Sequence, residues 1–298
     1  MATLRHIAHK YLPKTVVQFI QNRNKQKRRK HIEKQAKLGG LNAEQLENIL
    51  LNIGLKKGDA VLVHASLSRM GYVEGGAETV VRSIIKVVGD TGHVLMPTSS
   101  NDGQQLDFIR QNPIFDVRNT PSKMGAISEY FRKLPGVKRS LHPTESVACL
   151  GAETEDFLRG HFGALTPYRP DSPFGKLIAR KGKILMIGVT LDNAGTNVHC
   201  LEDAEDFPFP IYYPEVFTAR VVDYDNVMHE VKTKVHNPDL SAKRYCDFLI
   251  PIFEQEGVLI KHRIGDAPCL LIDAHGMFES LKNQLRQGRT IYGKTSHK

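Results

Sequence analysis

The stretch Lys183-Ile-Leu-Met-Ile-Gly-Val-Thr-Leu-Asp-Asn-Ala-Gly-Thr-Asn-Val-His-Cys-Leu-Glu202 changes character half-way along. Lys183 to Val189 is a short apolar run bounded by Gly182 and Gly188, the pattern of a strand buried on both faces. Thr190 to Gly195 is turn-like, and Thr196 stands where an N-cap opens a helix carrying His199 and Glu202. Three residues apart on a helix, these two side chains share a face, so the carboxylate can fix the imidazole tautomer and raise its basicity. Open α/β sheets place their chemistry where a loop leaves a central strand and enters a helix. His199 is thus the candidate general base and Glu202 its orienting acid; a solvated charge pair is the alternative.

Working outward, Gly58-Asp59 turns into a strand at Ala60 to His64, followed by Ala-Ser66-Leu67-Ser68-Arg-Met-Gly71-Tyr72-Val73-Glu-Gly75-Gly76 and an apolar-periodic helix, Ala77 to Val88. Backbone amides at that helix start, with Ser66 and Ser68 nearby, suit a phosphate or pyrophosphate. The loop fits neither GxGxxG nor GxxxxGK[ST], and glycines serving only turns are the alternative. His93 to Met96 reads as a second buried strand, ending in Pro97-Thr98-Ser99-Ser100, so two hydroxyl-bearing loops can wall one crevice.

Residues 101 to 124 read as a long irregular loop over a site, and Gly125 to Leu134 as a helix. His142 is a substrate-side candidate, with a structural histidine held by Pro143 as its alternative. Asp203, Glu205 and Asp206 beside the aromatic and proline-rich run Phe207 to Pro214 suit a cationic amine, or else form a solvated acidic helix end. A hairpin is expected from Val216 onward, then a helix over Ala242 to Glu256, strands at Leu259 to Ile264 and Cys269 to Asp273, and a closing helix, Met277 to Leu285.

The 298 residues allow one large α/β domain or a domain with appendages. The formal charge of +9 is confined to the start of the chain: residues 1 to 40 hold eleven Lys or Arg and one acid, Glu33, while the rest is close to neutral. This divides the chain into a basic amphipathic arm, 1–40, and a body, 41–298, and argues against an extended nucleic-acid surface. Residues 1–37 can lie on an anionic membrane, pack on a subunit, or be solvated. The four cysteines fall singly, without disulfide or zinc spacing, and a metal site on His199 and Glu202 lacks a third ligand at recognisable spacing. With no membrane-span run and no signal-peptide pattern, a cytoplasmic location is expected, peripheral at the inner membrane face if the arm binds lipid.

Together the segments resemble the aminoglycoside 3-N-acetyltransferase family from about Gly58 to His275. The matching pieces are His64-Ala-Ser-Leu-Ser with Gly71 and Gly75-Gly76-Ala77, Val88-Gly89-Asp-Thr-Gly92 leading to Met96-Pro-Thr, Thr120-Pro with Gly125, Pro135-Gly-Val with Arg139-Ser and His142-Pro, Ser172-Pro173, and Thr196 with His199 and Glu202. The resemblance implies a single α/β/α domain with a central mixed sheet, unlike the common GNAT acetyltransferase fold. It implies acetyl-coenzyme A as cosubstrate and an amine as acceptor; from the ligand spacing, no metal is expected. It carries the catalytic histidine onto His199 and its glutamate onto Glu202, and the coenzyme contacts onto His64, Ser66, Leu67, Ser68, Gly71, Tyr72 and Val73 and onto Met96, Pro97 and Thr98. Asp192 stands one residue out of register with an acid of many antibiotic-modifying members.

The expected reaction is direct transfer: His199 takes a proton from the amine as it attacks the thioester, with Thr196 or loop amides stabilising the oxyanion. A ping-pong route through Cys200 is the rival. The arm favours an amino sugar of glycan or polysaccharide assembly as acceptor. An aminoglycoside antibiotic, and a non-catalytic protein whose arm tethers a partner, are the alternatives. A homodimer is compatible with this reading.

Overall fold

The structure is a computed structural model that describes residues 14–37, 39–101, 103–204 and 206–294. The helices run α1 (Lys14–Ala36), α2 (Ala43–Asn52), α3 (Ala77–Val88), α4 (Gln105–Arg110), α5 (Ala126–Phe131), α6 (Thr154–Arg159), α7 (Pro173–Ala179), α8 (Leu191–Ala194), α9 (Cys200–Ala204), α10 (Pro238–Ser241), α11 (Leu249–Gln255) and α12 (Ala274–Arg286). The strands are β1 (Ala60–Ala65), β2 (His93–Pro97), β3 (Ile114–Asp116), β4 (Lys138–Arg139), β5 (Val147–Leu150), β6 (Lys183–Ile187), β7 (Phe217–Val222), β8 (Met228–Thr233), β9 (Leu259–Ile264), β10 (Ala267–Asp273), β11 (Arg289–Thr290) and β12 (Gly293–Lys294).

Seven strands form one mixed sheet in the order β4-β5-β2-β1-β6-β10-β9. β1 lies parallel to β2 and β6, and every outer pairing is antiparallel. Strand alternation divides the core into two layers. Leu62, Leu95, Ile184 and Met186 face one side, packing with α7, α11 and α12 residues. Val61, Val63, Val94, Leu185 and Ile187 face the other, against α2, α3 and α5. That two-sided burial is why β6 reads as an unbroken apolar run. On α3, Val80, Val81, Ile84, Val87 and Val88 are buried, each worth roughly 1.5–3 kcal/mol over exposure. A smaller sheet, β3-β7-β8, closes over α4 around Phe115, Phe217 and Val221.

Three expectations differ from this. Residues 101–124 are not all loop: Leu106 and Ile109 of α4 and Phe115 of β3 are buried in the small core, a tertiary partner that local composition does not announce. The helix expected over 242–256 is confined to Leu249–Gln255, where Pro251 falls in the first turn and costs no intrahelical bond. Thr196 does not cap a helix: Gly195 holds that position, and Thr196–His199 is a single 3-10 turn leading into α9. No helix among the described residues is long and apolar enough to cross a membrane.

Candidate functional site

Parallel β1, β2 and β6 point their carboxyl ends at one region, and the turn after β6 delivers His199 there. Val198, Cys200 and Leu201 anchor the turn in the first core layer, His199 lines the cleft, and Glu202 stands behind the ring, both of them buried. His199 Nδ1 lies 2.9 Å from Glu202 Oε1. The hydroxyl of Tyr292, at the tip of the β11–β12 hairpin, donates to the same oxygen at 2.7 Å. Arg244 Nη1 donates to His199 Nε2 at 2.8 Å. Because Arg can only donate, Nε2 is an acceptor and the ring proton belongs on Nδ1.

His236 completes the cluster. Its ring is stacked between Tyr168 and Tyr212, and its Nε2 lies 3.5 Å from Glu202 Oε2. Neither atom makes a hydrogen bond. Burial holds His199 down, to about 4, so the ring is neutral at physiological pH. Burial alone would push Glu202 up, but the interaction with His199, whose ring takes up charge as pH falls, and with His236 beside it outweighs burial and holds the carboxyl down to about 2. The result is an ionised acid, a neutral ring and a cation in line.

The donor atoms of His199, Glu202 and His236 lie within 4.8 Å of one another, close enough to hold a metal ion. Both nitrogens of His199 are already engaged, however, and an ion bound there would sit close to the Arg244 guanidinium. The arrangement suits proton transfer better than metal binding.

Two adjoining cavities lie at this end of the sheet, and the ring lines the first of them. One, about 550 Å³, is lined by His199, Thr196, His64, Glu145, His236 and Arg244 among others. The second, about 610 Å³, is lined by the loop from Ser66 to Val73, by Gly76 and by Ile32 of α1. Ala65, Met124 and Val189 line both. A base lining one of two adjoining pockets can serve a reaction between two bound molecules.

The profile of the aminoglycoside 3-N-acetyltransferase family matches residues 62–286. The chain belongs to the aminoglycoside 3-N-acetyltransferase family. It is 37% identical to the SPbeta prophage-derived aminoglycoside N(3')-acetyltransferase-like protein YokD of Bacillus subtilis (strain 168), over 74% of this chain and 83% of that protein. It is 30% identical to aminoglycoside N(3)-acetyltransferase IX of Micromonospora chalcea, over 56% of this chain and 64% of that enzyme, so it spans just under two thirds of that relative's length. The fold is that of the solved structure of AAC-IIIb in binary complex with CoASH, with a TM-score of 0.70, 24% identity, and coverage of 87% of this chain and 100% of that one. The α/β mixed-sheet architecture expected from the family resemblance is the one observed, and nothing in it follows the GNAT pattern.

Against this family background the sequence candidates separate. Ser66, Leu67, Ser68, Gly71, Tyr72 and Val73 line the second cavity together. His64, Met96 and Pro97 line the first instead, and His64 Nε2 lies 3.1 Å from Thr196 Oγ1. Thr98 lines neither; it is fully buried and bound to Ser146 and to the buried Arg139. His142 is likewise sealed in the core, where its Nδ1 accepts from the amide of Glu145.

The acidic run fares differently from expectation. The Asp203 carboxylate is occupied by the Tyr212 hydroxyl at 2.7 Å and the Tyr168 amide at 3.0 Å, bracing the rings that hold His236. Asp206 is exposed and lines neither cavity, and Glu205 lies outside the described residues. Asp192 Oδ1 accepts from the amides of Cys246 and Asp247, tying down the segment that carries Arg244, so it is not a free third acid. Cys200 is buried, does not line the cleft, and burial pushes its thiol well above the ordinary range.

Sequence reasoning missed Arg244, His236, Tyr168, Tyr292 and Glu145. Glu145 is the substrate-side acid that the cleft does contain. Its carboxyl accepts from Gln105 Nε2, and burial pushes it up to about 7 despite His236 and Arg244 nearby.

Proposed function

We propose that the chain transfers the acetyl group of acetyl-coenzyme A to an amine of an aminoglycoside. The carrying observation is the buried His199–Glu202 pair, whose ring lines a cavity that also holds Glu145 and adjoins a second one bounded by the glycine- and serine-bearing loop after β1. The loop cavity suits the coenzyme: α3 starts at Gly76 with no side-chain cap, so its first-turn amides remain for an anionic ligand. The first cavity takes the acceptor. A cationic sugar amine approaching Glu145 draws its proton off and pairs with the carboxylate.

In the reaction, the neutral His199 ring removes a proton at Nε2 as the acceptor nitrogen attacks the thioester carbonyl, and Glu202 stabilises the imidazolium through Nδ1. The nitrogen–carbonyl bond forms as the carbon–sulfur bond breaks. The thiolate leaves on the coenzyme side and can be reprotonated by the ring. Thr196 lines the first cavity, and its hydroxyl, accepting from His64 Nε2, keeps its proton for the carbonyl oxygen. Support for an aminoglycoside acceptor, over a polysaccharide precursor, comes from the relatives: the Micromonospora chalcea protein is an aminoglycoside N(3)-acetyltransferase by name, and the Bacillus subtilis protein is named as similar to one.

The test is thiol release from acetyl-coenzyme A with a panel of aminoglycosides and nucleotide-linked amino sugars, with His199→Ala as control. Turnover confined to the nucleotide-linked sugars replaces the aminoglycoside reading by the glycan one, and no turnover with any amine rejects both.

A further inference from the structure

The basic arm lies outside the residues that match the family, yet its helix is a wall of the loop cavity. Ile32 of α1 lines that cavity beside Ser68, Gly71 and Tyr72. The helix is pinned there by three bonds: His31 Nε2 and Gln35 Nε2 reach Asp266 Oδ2 at 2.9 and 3.0 Å, and Gln35 Oε1 accepts from the Tyr72 amide at 2.9 Å. Gly71 makes the close approach possible. It has φ +83°, and a Cβ there would come within 2.6 Å of Gln35 Oε1. At Gly76, φ +62°, an added Cβ would meet nothing nearer than Leu67 Cδ2 at 3.9 Å, so the backbone at the start of α3 is open to a ligand.

Docking fixes which face of α1 overlooks the cavity. With 3.6 residues per turn, Lys25 and Arg28 project within about 20° and 40° of Ile32, while Lys30 and Lys34 project to the opposite side. All four are exposed. Arg29, further round, is already paired with Glu33. A cavity that ends in uncapped amides on one side and a pinned cationic helix on the other fits a ligand with a polyanionic end.

We infer that α1 is a phosphate clamp: Lys25 and Arg28 grip the phosphorylated nucleotide end of the coenzyme bound in the loop cavity. This rests on the proposed use of coenzyme A. It gives the arm a role in cosubstrate binding rather than at a membrane.

Calorimetry of the full chain with coenzyme A, dephospho-coenzyme A and pantetheine tests it, comparing Lys25→Gln/Arg28→Gln with Lys30→Gln/Lys34→Gln, which removes the same charge from the other face. The first pair should weaken coenzyme A roughly tenfold at low salt, flatten its salt dependence and leave pantetheine unchanged; the second should bind as wild type. Equal losses in both pairs, or none in either, overturn the clamp. Asp266→Asn, which unpins the helix without touching its charges, should reproduce the first pair's loss, and unchanged affinity there also counts against it. If wild type binds coenzyme A but the first pair loses only its adsorption to phosphatidylglycerol vesicles, the arm is a lipid contact and the clamp is wrong while the transferase reading stands. Wild type that binds no coenzyme A rejects the transferase reading itself.

Discussion

Arg244 covers the basic nitrogen of His199, with Nη1 2.8 Å from Nε2. The contact selects the tautomer that a base needs and places a cation where the acceptor nitrogen must arrive. Charge alone makes Arg244 oppose protonation of the ring, adding to burial. The incoming amine therefore has to displace the guanidinium.

Arg244→Gln should raise the pKa of the base, moving the acid limb of the kcat/KM profile for thiol release up by about one unit. A limb that stays in place, or moves to lower pH, means that the guanidinium does not act on the ring in solution.

Glu202→Gln keeps the shape of the acid but cannot stabilise an imidazolium, and kcat should fall by about 10²-fold or more. Tyr292→Phe removes one donor to the same oxygen and should cost about tenfold. Steady-state kinetics on both variants, with circular dichroism to confirm folding, checks the order of the two effects; a larger loss from Tyr292→Phe would refute it.

Glu145 and Glu202 should give opposite pH dependences of stability. The folded pKa of Glu202 is depressed from 4.5 to about 2, so its contribution is present above pH 4.5 and lost as pH falls through 2. That of Glu145 is raised from 4.5 to about 7, so its contribution is present below pH 4.5 and lost as pH rises through 7. Partial exposure limits this second effect to on the order of 1–2 kcal/mol. Urea unfolding from pH 3 to pH 8 should show Glu145→Gln gaining on wild type toward alkaline pH and Glu202→Gln losing less than wild type toward acid.

Cys200→Ala should leave turnover within about twofold of wild type while costing about 1 kcal/mol of stability from the small void. Intact-protein mass spectrometry after mixing with acetyl-coenzyme A should show no acetyl adduct that depends on Cys200. Loss of several orders of magnitude in kcat would instead establish the ping-pong route.

The strands, the α3 helix and the His199–Glu202 pair were legible because each is a short-range pattern. An apolar run of five to seven residues, a 3.6-residue periodicity and an i,i+3 spacing all put their physical meaning into neighbouring residues. The glycines and hydroxyls of the Ser66 to Val73 loop marked a turn-rich segment leaving a strand, and that segment lines the second cavity. Asp203 was misread because a carboxylate next to aromatic residues looks free in a sequence, and only the fold brings the Tyr168 amide and Tyr212 hydroxyl to it.

The sequence by itself thus determined the layered α/β body, the charge asymmetry of its arm, and which imidazole has an acid one helical turn away. The tertiary structure alone decided what that imidazole faces. Arg244 lies 45 residues from His199, Tyr292 lies 90 residues from Glu202, and His31 of the arm lies 235 residues from Asp266. Contacts at such separations leave no periodic trace, because they depend on sheet order and loop closure rather than on backbone geometry between neighbours.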